Sequence, residues 1–152
     1  HPEGLAAILQ GYFGVPAAVV EFVGEWLEIA PDEQCRLGSS IMTGTLGENA
    51  IVGSAVFECQ HRFRLRLGPL NFGELEGLLP GQPTTAALRA TVRNYVGDQY
   101  RWDLQLILKR DETPQTQLGA ANARLGWTTW LGIWTSPHDA DDVIVDPYRR
   151  LG

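Results

Sequence analysis

The chain has 152 residues, of which 44% are hydrophobic and 20% charged. That mix fits one folded domain with a sizeable core and argues against disorder, collagen and coiled coil. Twelve Lys and Arg against eighteen Asp and Glu leave a net charge of −6, so no basic excess is available to neutralise a nucleic-acid backbone. No apolar run approaches the ~20 residues of a membrane-spanning helix, and no direct membrane insertion is expected. The opening His1-Pro2-Glu3 lacks the basic and apolar regions of a signal peptide. Because it does not open on Met, the chain is expected to be a fragment or a processed product.

Leu5, Ile8, Leu9, Tyr12 and Phe13 recur at helical spacing behind Pro2 and predict an amphipathic helix closed by Gly14 and Pro16. Residues 17–23 are β-branched and apolar and predict a buried strand, with 24–29 extending it or forming a second strand after a bend. Residues 31–47 read as a long glycine-rich loop, a length that in a compact domain usually carries function. Its Ile41, Met42 and Leu46 are apolar beyond what a solvated linker needs, so a partner is expected to cover them.

Strand character resumes at 50–58, and over 61–67 Phe63, Leu65 and Leu67 alternate with Arg62, Arg64 and Arg66 until Gly68-Pro69 stops the run. Asn71 with Glu74 has the spacing of a capping box, opening a short helix with Phe72, Leu75, Leu78 and Leu79 as its stripe. Pro83 opens a third helix with Leu88, Val92, Tyr95 and Val96 on one face and Gly97 at its end. Residues 100–109 form a second clear strand, with Trp102, Leu104, Leu106 and Leu108 pointing one way. Asp103 on the other face is placed to meet an arginine of the first strand. The strand–helix–helix–strand order allows a crossover between the two. Regular signals fade after Asp111, with a short apolar run at Val143, Ile144 and Val145. The fold class expected is α+β: a single domain over 1–152, with mixed short strands, about three helices and long irregular loops.

Catalytic motifs are missing. The chain has no GxxxxGK[ST], GxGxxG, GxSxG or HExxH, and no catalytic residue and no cofactor is assigned. Cys35 and Cys59 have no CxxC spacing and are read as reduced thiols, with a disulfide left open. Cys59 and His61 would share a strand face, but packing and solvent contact are the simpler fate. Glu21, Glu25 and Glu28 have no spacing that fixes a glycosidase carboxylate pair. Arg62, Arg64 and Arg66 are expected to pair with acids across the ladder rather than to hold an anionic ligand. His138, Asp139, Asp141, Asp142 and Asp146 offer oxygen ligands without the EF-hand spacing, and are read as a solvated acidic turn with no metal.

Residues 125–134 are the most unusual stretch, with Trp127, Trp130 and Trp134 within eight positions. Trp127 and Trp130 lie in the stretch bracketed by Gly126 and Gly132 and are expected to fold inward. Trp134, with Leu131 or Ile133, sits beside the turn residues Thr135-Ser136-Pro137 and is expected to join a partner surface. The alternative is a carbohydrate-binding module in which the rings stack on sugars.

Several segments together resemble a known family. They are His1-Pro2 with Tyr12-Phe13-Gly14-Val15-Pro16, Phe22-Val23-Gly24-Glu25-Trp26-Leu27, and the FRLRLGPL run from Phe63 to Leu70. Leu78-Leu79-Pro80-Gly81, Tyr95-Val96-Gly97-Asp98 and Trp102-Asp103-Leu104-Gln105-Leu106 follow. LGWTTWLG from Leu125 to Gly132 and Asp139-Ala140-Asp141-Asp142 complete the set. In this order they resemble the C-terminal half of TssG (ImpH, VasB), a baseplate subunit of the bacterial type VI secretion system. The resemblance runs over nearly the whole chain and implies that an N-terminal half is absent. It implies a non-enzymatic cytoplasmic scaffold at the membrane-docked apparatus, linking TssF and TssK in the wedge complex, with TssE as a further candidate partner.

Overall fold

The computed structural model describes residues 1–32, 34, 53–115, 124–130 and 132–149. The described residues contain three α-helices and six strands, an α+β arrangement as expected. The chain groups into two compact units: His1–Glu21 with Phe63–Gly152, and Phe22–Arg62.

The larger unit is built on a four-stranded sheet of order β1 (Ala17–Val20), β4 (Arg62–Leu70), β5 (Arg101–Leu108) and β6 (Ala140–Val145). The outer pairs β1–β4 and β5–β6 are antiparallel, and β6 shifts register between Leu106 and Leu108. In the centre, Arg64 meets Asp103, Gly68 abuts Ile107, and the Lys109 N–H donates to the Leu70 carbonyl. These contacts advance together along both strands, so β4 and β5 run parallel. A parallel pair needs a crossover, supplied here by α2 (Phe72–Gly77) and α3 (Pro83–Val96).

Helix α1 (Pro2–Phe13) begins at Pro2 and ends on Gly14, whose left-handed φ of 70° lets its N–H reach the Gln10 carbonyl. Its apolar stripe is narrower than the spacing predicts: Leu5 and Leu9 are buried, whereas Ile8 and Tyr12 are exposed. Helix α2 has both halves of its capping box, with Asn71 Oδ1 accepting from Glu74 N and Glu74 Oε2 from Asn71 N, each at 2.8 Å. In α3, Leu88 and Val92 face inward.

One core joins Leu5, Leu9, Leu75, Leu79, Leu88 and Val92 of the helical region to Phe63, Leu65, Leu67, Trp102, Leu104, Leu106, Val143 and Val145 of the sheet. The strict alternation of β4 and β5 therefore does place these side chains inside. Three details differ from the sequence expectation. β1 ends at Val20 and is an edge strand with alternate residues exposed rather than a buried one. β4 continues through Gly68-Pro69 to Leu70, because Gly68 N donates to the Pro16 carbonyl at 2.9 Å. The acidic segment near the C-terminus contains a strand, β6, whose Val143 and Val145 turn inward while Ile144 turns out.

The smaller unit contains β2 (Glu25–Glu28) and β3 (Ala55–Glu58), an antiparallel ribbon pairing Trp26 with Phe57 and Leu27 with Val56. The sequence left open whether 24–29 extends the first strand; it forms a separate one.

Candidate interaction surfaces

The tryptophan segment divides by glycine geometry. Gly126 and Gly132 take φ of 80° and 77°, a region most side chains avoid. Between them Trp130 is 6% exposed, and its Nε1–H donates to Asp142 Oδ1 at 3.1 Å. Trp127 packs against the core at its margin, with the Arg149 guanidinium 5.8 Å from its ring centroid. Both rings turn inward, as the bracketing glycines imply. Trp134 also packs against the core, half-buried, and its Nε1–H donates to the His138 carbonyl at 2.8 Å. Ile133 is 74% exposed. The outward apolar groups among the described residues of this stretch are therefore Leu125 and Ile133, more than Trp134. Leu131, Ile41, Met42 and Leu46 lie outside the described residues. Of the three rings Trp130 is buried, while Trp127 and Trp134 are half-buried.

The acidic turn next to it is occupied by structural work. Asp142 accepts from Trp130, Asp139 Oδ1 from the Arg110 N–H at 3.1 Å, and Asp146 Oδ1 from the Tyr148 N–H at 2.8 Å. No group of three or more potential metal-ligating side chains converges among the described residues. Cys59 is a free, half-buried thiol. His61, two positions on, uses Nδ1 to contact Glu58 Oε1 at 3.0 Å. Glu58 also accepts from the Gln60 N–H at 2.7 Å; that bond, more than His61, holds its carboxyl below the usual range.

The ribbon carries a surface that the sequence reading did not single out. Trp26 is 70% exposed and meets the exposed Phe57 edge to face, ring centroids 5.3 Å apart. Gly24 leaves room for the Phe57 ring, which a Cβ there would strike. Phe22, also exposed, has φ 58°, rare for an aromatic residue. The available signal was Trp26 within an alternating EWLE run, which becomes an exposed pair only once Phe57 is known to lie opposite.

The arginines of β4 face away from the core. Arg62 pairs with Glu25, and Arg64 makes a two-point bridge to Asp103, with Nε–Oδ1 at 2.6 Å and Nη2–Oδ2 at 2.9 Å. The expected cross-strand pairing is thus present for Arg64, whereas the acid that Arg62 meets comes from the separate ribbon. The described residues form a small α+β fold that leaves Trp26, Phe57, Leu125 and Ile133 exposed.

The sequence profile of the TssG family of type VI secretion matches residues 1–132, and the chain belongs to that family. Its fold is similar to a chain of the TssK–TssF–TssG baseplate subcomplex of the type VI secretion system, with TM-score 0.70 and 20% identity over 99% of this chain and 63% of that one. It is also similar to a chain of the baseplate complex of the type VI secretion system, with TM-score 0.62 and 21% identity over 100% of this chain and 45% of that one. The chain thus spans roughly half to two thirds of the length of these structures' chains. No curated protein sequence matches it.

Proposed function

We propose that this domain is a structural part of a type VI secretion baseplate, a scaffold that joins TssF and TssK in the wedge, with TssE as a further contact. The observation that supports this most is the TssG family match over 132 residues, on a fold shared with a chain of a complex that contains TssK and TssF. No helix among the described residues is long and apolar enough to cross a membrane, in keeping with a place in the bacterial cytoplasm beneath the docked apparatus. The contact residues we assign are Ile41, Met42 and Leu46 of the glycine-rich stretch 31–47 and Leu131, Ile133 and Trp134 after the buried Trp130. Ile133 is the most exposed of those described, and exposed apolar anchors gain most from being covered.

The test is co-expression of the chain with TssF and TssK from the same bacterium. Stable co-purification supports the scaffold reading. A chain that stays monomeric in the presence of both overturns it. No hydrolytic or transfer activity accompanies this role in the proposal.

A further inference from the structure

The four-stranded sheet has two edge strands, and they are finished differently. β6 carries the exposed Asp141 and Asp142 and shifts register against β5. Charge and irregular pairing keep a sheet edge from adding another strand. β1 has neither. Its run Ala17-Ala18-Val19-Val20 holds no charged residue and keeps one unbroken register against β4.

The ladder fixes which backbone groups this edge presents. The Gly68 N–H donates to the Pro16 carbonyl at 2.9 Å, in step with the pairs Ala18–Arg66 and Val20–Arg64. Along an antiparallel strand the hydrogen-bonding groups alternate sides. Pro16, Ala18 and Val20 therefore turn toward β4, whereas Ala17 and Val19 turn their N–H and C=O away from it. Among the described residues no hydrogen bond reaches those outward groups. Pro16, which has no N–H, bounds the run on one side, and Phe22 at φ 58° bounds it on the other. The side chains alternate as well: Ala17 and Val19 pack against the core, and Ala18 and Val20 are exposed.

We infer that β1 takes an extended segment of a partner protein as an added strand, hydrogen-bonded to the backbone of Ala17 and Val19. The inference rests on the scaffold reading and adds to it a contact made by main chain rather than by apolar side chains. The bonding pattern sets what fits. A donor and an acceptor repeated at every second residue of an extended run match the same pattern on another extended backbone. A helix bonds these groups internally and has none to offer. Alternate side chains of the segment fall beside Ala17 and Val19 at the margin of the core, so apolar residues suit every second position. A second copy of this chain fits less well. Two such four-residue edges bury far less than the ~1,200 Å² of a stable interface, and each copy carries a net charge of −6. In the scaffold reading a baseplate partner is held by other contacts too, so a short strand only has to extend them.

The experiment measures amide exchange in the chain alone and in its complex with co-expressed TssF and TssK. In the chain alone, the Ala17 and Val19 amides should exchange fast, while those of Ala18 and Val20, bonded to β4, are protected. Assembly should slow Ala17 and Val19 by about a hundredfold or more. Ala17→Pro removes one outward donor at the first residue of a strand, where proline is tolerated. It should weaken retention of the partner about tenfold, whereas Ala17→Ser, which keeps the N–H, should not. Circular dichroism shows whether Ala17→Pro folds; if it does not, exchange in the wild type decides. Slow exchange of Ala17 and Val19 in the dilute chain alone means that the chain covers its own edge, and overturns the inference. Slowing that appears on concentrating the chain alone assigns the edge to a second copy, and overturns it too. If wild type assembles while these amides stay fast, β1 takes no added strand and the scaffold reading stands. If wild type retains neither protein, the scaffold reading fails and this inference falls with it.

Discussion

Arg64 of β4 and Asp103 of β5 form a bidentate ion pair across the parallel centre of the sheet, with the carboxylate only 4% and the guanidinium 24% exposed. The hydrogen bond to Asp103 holds Arg64 above its ordinary pKa, so the guanidinium stays charged at any physiological pH. Arg64→Ala withdraws the guanidinium from a nearly buried carboxylate and should cost about 3 kcal/mol. A double-mutant cycle with Asp103→Ala, read by urea unfolding, should show strong coupling. Additive effects would mean that the bridge contributes nothing beyond its parts.

Gly68 occupies the closest approach of β4 to β5. At φ 135° a side chain is disfavoured, and a Cβ there would lie 2.8 Å from Ile107 Cβ and strike the Ile107 carbonyl. Gly68→Ala should destabilise the larger unit by about 2 kcal/mol or more, through strained backbone and overpacking together. Thermal unfolding measures it, and a change of only a few tenths would contradict the close approach.

Trp130 and Ile133 should separate folding from assembly. Trp130→Ala removes a buried ring and its bond to Asp142, and is expected to cost about 3–5 kcal/mol. Ile133→Asp removes an exposed group, should change stability by less than about 0.5 kcal/mol, and should weaken retention of TssF or TssK. The reverse pattern in circular dichroism and pull-down would invert the assignment.

Glu58 predicts a pH response in the ribbon. Its carboxylate accepts from the Gln60 N–H and contacts His61, so its pKa lies below the ordinary 4.5. A lowered carboxylate pKa stabilises the fold above the unfolded value, and that contribution is lost as pH falls through the folded one. The Gln60 amide resonance should therefore titrate with a midpoint below the ordinary 4.5. A midpoint above 4.5 would rule out the arrangement.

Elements whose signals are local could be read directly from the chain. Alternation in β4 and β5 fixed which side chains enter the core, because a strand's period of two leaves no other face for Leu65, Leu67, Leu104 and Leu106. Asn71 with Glu74 fixed the start of α2, because the capping box is a contact between residues three apart. Gly14 fixed the end of α1, because a left-handed closing residue is cheap only for glycine. The family resemblance, too, was legible in motifs such as FRLRLGPL and LGWTTWLG. The remaining features depend on residues far apart in the chain. β6 was hidden because its six residues carry two exposed aspartates and gain their strand character from pairing with β5. Trp134 turned partly inward because the His138 carbonyl meets its ring nitrogen, leaving Ile133 outside. Arg62, Arg64 and Arg66 look alike in sequence. Their difference arises because Glu25 and Asp103 are brought to the first two, and no described residue brings an acceptor to the Nε of the third.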